Sequence, residues 1–236
     1  MNDSHTNNFG RRFVAVVGSV VALVSLITMS AVVPVSASAV SAQKVVGQNP
    51  TAVVIANFDP LALSANRALE QLREDLIRFD GSPETSVLFI RLRRATAEQV
   101  AERLALDADE LEAAWAESDV NHQTALLAAL TQVGVPYKKF AMKPGIGFDC
   151  SGLTSFAWGQ AGFNLPHNST RQIRAADPRT HDTAQAGDLL RYPGHVMMWL
   201  GVGQAVIHSP EPRQFVEVRI LAQRSMNRSI FGDPTE

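Results

Sequence analysis

Between Leu61 and Phe79 the apolar positions Leu61, Leu69, Leu72, Leu76 and Phe79 recur at three, four or eight residues, which puts them on one face of a helix. Asp80-Gly81-Ser82-Pro83 reads as its stop. Val87–Leu92 is dense in apolar, β-prone residues and predicts a short strand. Thr96 then opens a helical stretch with Val100, Leu104 and Leu106, and after Asp107-Ala108-Asp109 a second helix carries Leu111 and Trp115. From His122 to Val133, Leu126, Leu127 and Leu130 mark a helix that Gly134 ends. A loop with Pro136, Pro144, Gly145 and Gly147 leads to a helix over Ser151–Trp158, closed by Gly159 and Gly162. After the loop around Pro166 and an irregular segment to Ala186, β-runs follow at Asp188–Tyr192, His195–Leu200 and Ala205–His208, with a fourth at Phe215–Ile220. Helices first and an antiparallel meander afterwards predict an α+β domain over residues 121–236.

The strand, helix, acidic turn and helix over 87–115 faintly resemble a LysM wall-binding module, but the Gly-Asp-Thr opening and the second strand are missing. A helical hairpin that packs on the next domain is the simpler reading of residues 61–120. Residues 43–60, with Gly47, Pro50 and Pro60, read as a linker or a loosely attached strand ahead of this accessory region, which spans 43–120 in all.

The first 42 residues differ from the rest. Arg11 and Arg12 precede an uncharged run from Phe13 to Val33, and small residues follow at Ser36-Ala37-Ser38-Ala39-Val40-Ser41-Ala42. This is the layout of a secretory signal peptide, with cleavage expected after Ala39 or Ala42. The run is also long enough to span a bilayer as an uncleaved signal anchor, the one membrane contact the sequence suggests. Either reading sends the chain out of the cytoplasm, to be secreted or held at the cell wall. The net charge of −2 becomes one unit more negative without residues 1–42, which gives no reason to expect nucleic acid or an anionic surface as partner. Hydrophobic residues make up 46% and charged residues 19%, a globular composition. Nothing in the pattern sets an oligomeric state.

Cys150 is the only cysteine, so an exported chain of this kind has no internal disulfide. Its thiol is either a small buried hydrophobe or a reactive group. It lies at the first turn of the Ser151–Trp158 helix, where free N–H groups and the macrodipole favour a thiolate. Asp149 opposes this as a like charge unless its carboxylate caps the helix or holds a substrate amine. A nucleophile also needs a base within reach. Of the histidines, His122 begins a helix, His181 lies in a polar segment and His167 sits in a loop; all three read as solvated. His195 and His208 each bound an apolar β-run, joined by Gly201-Val202-Gly203-Gln204. If the hairpin loop has an even number of residues, odd positions pair with even ones and both imidazoles project to one face. One can then serve Cys150 and the other orient it. A metal pair is the competing reading, but third and fourth ligands are not evident.

Phe148-Asp149-Cys150-Ser151-Gly152-Leu153 resembles the Asp-Cys-Ser-Gly core of the NlpC family of cell-wall peptidases. Further landmarks follow in that family's order: Gly134-Val135-Pro136-Tyr137, Leu165-Pro166 with Ser169 and Gln172, Ala186-Gly187-Asp188-Leu189, His195-Val196, and Ile207-His208-Ser209-Pro210. The resemblance covers about residues 121–220. It implies a papain-like α+β fold with Cys150 as nucleophile, His195 as general base and acid, and His208 as orienting residue. It also implies Tyr137 near the oxyanion, and Asp149 and Ser151 at the amine end of a wall peptide. The implied reaction is hydrolysis of peptidoglycan stem peptides, commonly between D-glutamate and a diamino acid, through an acyl-enzyme and without metal or cofactor. Two other readings stay open: a related thiol amidase or acyltransferase, and a wall-binding protein without turnover. The sequence departs from the family where Lys138-Lys139-Phe140-Ala141 replaces the usual Trp-Gly-Gly, and where His167 replaces a common arginine.

Overall fold

The computed structural model describes residues 59–79 and 86–235. The signal or anchor segment, nearly all of the 43–60 linker and the stop at 80–83 lie outside the described residues. Among the described residues four helices come first: α1 (Pro60–Arg78), α2 (Val87–Leu104), α3 (Ala108–Glu117) and α4 (Val120–Leu130). A small hairpin of β1 (Met142–Lys143) and β2 (Gly147–Phe148) precedes α5 (Cys150–Gln160) and α6 (Ser169–Ala175). The remaining elements are β3 (Asp177–Arg179), β4 (Leu189–Tyr192), β5 (His195–Trp199), β6 (Ala205–His208), β7 (Glu217–Ile220), α7 (Gln223–Met226) and β8 (Ile230–Asp233). Strands β3 to β8 form one antiparallel sheet in the order β3-β8-β4-β5-β6-β7, so the expected meander β4–β7 is extended on one side by β8 and β3. The fold class is the α+β one expected.

One expected strand is absent. Val87–Leu92 lies inside α2, which Ser86 caps by accepting from the Phe89 N–H at 3.1 Å. The buried positions Phe89, Arg93, Thr96, Ala97, Val100 and Ala101 keep a helical period. Val87 and Leu88 point outward, 63% and 52% exposed, and these surface apolar residues made the run look like a strand. Thr96 is therefore mid-helix, donating to the Leu92 carbonyl at 2.8 Å instead of starting a helix. With no strand before it, the LysM-like pattern falls and the helical hairpin α2–α3 stands.

The first helices share the main core. Leu61, Leu69 and Leu72 of α1, Phe89 and Val100 of α2 and Leu111 and Trp115 of α3 are buried with Leu126, Leu127 and Leu130 of α4 and Leu153, Ala157 and Trp158 of α5. Trp115 Nε1 donates to the Leu200 carbonyl at 2.8 Å and pins α3 to the end of β5. Strand β5 is buried throughout: Val196 and Met198 join this core, while Met197 and Trp199 pack with Leu190, Val206 and Phe231 in a second cluster.

Candidate active site

Cys150 is the first residue of α5, and the sequence before it builds a cap. Asp149 has extended backbone (φ −92°, ψ 179°) and its Oδ1 accepts from the Gly152 N–H at 2.7 Å. The same oxygen lies 3.3 Å from Ser151 Oγ and 2.7 Å from His167 Nε2, while Oδ2 accepts from the Phe140 N–H at 2.9 Å. The Asp149 N–H donates to the Ala141 carbonyl at 3.0 Å, so the 138–141 loop is laced across the start of the helix. That approach requires glycine at 152, because a Cβ there would run into the Ala141 carbonyl oxygen and touch His167 Nε2. His167 is exposed as its loop position implied, yet it is not merely solvated. Its imidazole is the outer partner of the cap carboxylate.

The two sheet histidines meet. Met198 pairs with Ile207 and Trp199 with Val206, and the Leu200 N–H donates to the Ala205 carbonyl at 2.9 Å, leaving a four-residue loop. Even parity follows, and His195 Nε2 lies 2.9 Å from His208 Nδ1 with both rings buried. His195 thus keeps Nδ1 for a reacting partner. The thiol is close at hand: the N–H of Val196, the residue after His195, is directed at it. The Cys150 charge is also felt at Tyr192, whose ring is 5.4 Å from that of His195. On its far side His208 pairs in register with Glu217, whose Oε1 is 3.4 Å from Nε2 but too poorly aligned to hydrogen-bond.

Electrostatics correct one expectation. Burial pushes the Cys150 thiol up, the N–H groups of Val196, Ser151 and Cys150 itself pull it down, and the Asp149 charge adds to the rise; the net direction is upward. The helix N-terminus does not by itself produce a thiolate. Burial, and then the charge of His208, depress His195 to about 3. Burial, and then Arg219, depress His208 to about 4. The resting site is a neutral thiol beside neutral imidazoles. Tyr137 has its phenol pushed up by burial and then by the charges of Asp149 and Cys150, which sets it beside both.

His122 departs most from its reading. It is fully buried, with Nδ1 2.7 Å from Asp119 Oδ2 and Nε2 2.9 Å from Asp188 Oδ1. Asp233 Oδ1 stands 3.5 Å from Nε2. Burial opposes its charge, but hydrogen bonds to Asp119 and Asp188 prevail and raise it to about 9. His122, Asp188 and Asp233 are close enough to suggest a metal cage. The raised imidazole favours both ring nitrogens donating to carboxylates, and in that state it offers no lone pair, so an ion would have to displace the Nε2 proton. It is a buried imidazolium that ties α4 to the start of β4 and to β8. The sequence reading missed it; the one local signal that could have found it is the Asp119-x-x-His122 spacing of a helix cap, in which Asp119 Oδ1 accepts from the His122 N–H at 3.0 Å.

Residues 134–233 match the model of the NlpC/P60 family, and that segment is an NlpC/P60 domain. A probable endopeptidase of Mycobacterium tuberculosis is 42% identical over 85 residues, 35% of this chain and 22% of that protein. The bifunctional muramidase/DL-endopeptidase of Bacillus subtilis is 33% identical over 91 residues, 35% of this chain and 28% of that one. Both relatives are therefore matched over less than a third of their own length. Among solved structures, the P60 domain of an antigen from Mycobacterium avium subspecies paratuberculosis is 25% identical, covering 49% of this chain and 96% of that domain at a TM-score of 0.43.

Proposed function

We propose that this protein is an exported peptidoglycan endopeptidase that cuts stem peptides, at the bond between D-glutamate and the diamino acid, through a thioester on Cys150. The observation that carries the reading is the 2.9 Å contact between His195 and His208, buried beside the chain's one thiol. Neutral His195 accepts the thiol proton at Nδ1 as Sγ attacks the scissile carbonyl, so the thiolate forms only as it is consumed. His208, against Nε2 of His195, fixes the tautomer and ring plane and shares the positive charge that develops. The Cys150 N–H and the neutral Tyr137 hydroxyl are the donors for the oxyanion. Collapse of the tetrahedral adduct breaks the C–N bond, with the proton passing from His195 to the leaving amine. Water, deprotonated by the same imidazole, then cleaves the thioester. Asp149 Oδ2 accepts one N–H and has a lone pair left for the free amine of the peptide, with Ser151 beside it.

The test incubates the full-length chain with purified peptidoglycan and identifies the released peptides by mass. New amine termini on the diamino acid, absent with Cys150→Ala, support the reading. Release that Cys150→Ala leaves unchanged overturns it. Transfer of the acyl group to an added amine in place of water would favour an acyltransferase.

A further inference from the structure

The segment between Tyr137 and Phe148 carries charge that the thiol chemistry does not use. Three of the chain's four lysines, Lys138, Lys139 and Lys143, fall within six residues, and all three are exposed. Among the described residues no carboxylate pairs with them; Lys139 Nζ instead sits 4.9 Å from the centre of the Phe140 ring. Like charges this close repel, so the cluster burdens the free protein and favours whatever brings negative charge to it. Phe140 is 81% exposed and Met142 and Ile146 are 47% and 54% exposed, so none of these side chains is there to fill a core. Phe140 also holds a left-handed backbone (φ 59°), a strained position for an aromatic residue, fixed by the bond from its N–H to Asp149 Oδ2. That carboxylate caps the helix whose first residue is the nucleophile. Whatever the rim holds therefore lies beside the start of the helix that carries the nucleophile, where the peptide of the proposed reaction would bind.

We infer that the 138–146 rim selects the acidic form of the wall peptide, its ammonium groups engaging free carboxylates of the D-glutamyl and diamino acid residues while Phe140 covers the adjoining apolar stretch. The inference rests on the stem-peptide reading above. A peptide of the same length with those carboxylates amidated is the poorer ligand.

Two synthetic peptides, L-Ala-γ-D-Glu-diaminopimelate with free carboxylates and its amidated counterpart, separate the possibilities. Each is titrated by calorimetry into full-length Cys150→Ala protein, and each is offered to the wild-type enzyme for turnover. Three exposed pairs of modest strength predict about a tenfold preference for the free acid, in Kd and in KM. Raising salt to about 0.5 M should erode it, as screening does for exposed charges. The triple variant Lys138→Gln/Lys139→Gln/Lys143→Gln should bring the ratio to about one while kcat on the amidated peptide is retained. Phe140→Gly, which suits the positive φ, should leave thermal stability equal or higher yet weaken binding of the free acid. Equal binding of the two peptides, or a preference that survives the triple variant, overturns the inference whether or not turnover is seen. Absence of turnover of both by the wild type overturns the scissile-bond reading instead, and the binding ratio still decides this one. If the triple variant loses only affinity for phosphatidylglycerol vesicles, the cluster serves a lipid surface and the inference falls.

Discussion

Replacing His122 by glutamine tests whether a buried charge holds α4 to the sheet. The imidazolium is raised from 6.5 to about 9, despite burial, by hydrogen bonds to Asp119 and Asp188. A folded-state value above the unfolded one means the group stabilises the fold fully below about pH 6.5, and that this contribution is lost as pH rises through about 9. The difference is worth about 3 kcal/mol. Urea unfolding should therefore show the protein losing about 3 kcal/mol between about pH 6.5 and 9.5. Trp158 reports on the site, since its ring lies edge-on 4.9 Å from that of His122. Cys150→Ala is the background of choice, because a thiol pushed up by burial also loses stability as pH rises past its unfolded value. Adding His122→Gln should lower stability at pH 6.5 by about 3 kcal/mol and flatten the slope, since Asp188 is left buried without its cation. A His122→Gln protein with the slope of its parent would refute the assignment of the charge to this residue.

Other outcomes follow from the site. With His195 at about 3 and His208 at about 4, the base stays neutral well into acid, so the acid limb of kcat/KM should fall below the ordinary imidazole value of 6.5. A limb at 6.5 or above would place the general base elsewhere. Gly152→Ala should cost at least tenfold in kcat/KM, because its Cβ displaces the 138–141 loop from the helix start. Unchanged kinetics would show that loop to be irrelevant. Trp115→Phe leaves the Leu200 carbonyl without its donor and should destabilise the full chain by about 1–2 kcal/mol in urea titration.

Much of the site was legible because it depends on local order. The parity of a hairpin loop is enough to put His195 and His208 on one face, and the four-residue turn at 201–204 keeps that parity. An aspartate directly before a glycine-bearing helix announces a cap, which Asp149 makes. What stayed hidden depends on tertiary partners. Asp188 is 66 residues from His122, and a histidine near a helix start looks solvated until such a partner closes over it. His167 acquires its role only where the chain returns to Asp149. The Val87–Leu92 error had another cause: the outward face of α2 is itself apolar there, which masks the helical period. Strands β3 and β8, three and four residues long, carry too short a pattern to stand out before they pair with each other.

The most direct measurement of the central proposal is the mass of the enzyme caught during turnover. Full-length wild-type protein mixed with stem peptide and quenched in acid within milliseconds should carry the acyl portion of the substrate, less water, on the fragment that contains Cys150. The adduct should vanish with Cys150→Ala and fail to accumulate with His195→Ala. Turnover without any adduct, at a rate that Cys150→Ala leaves unchanged, would contradict the account.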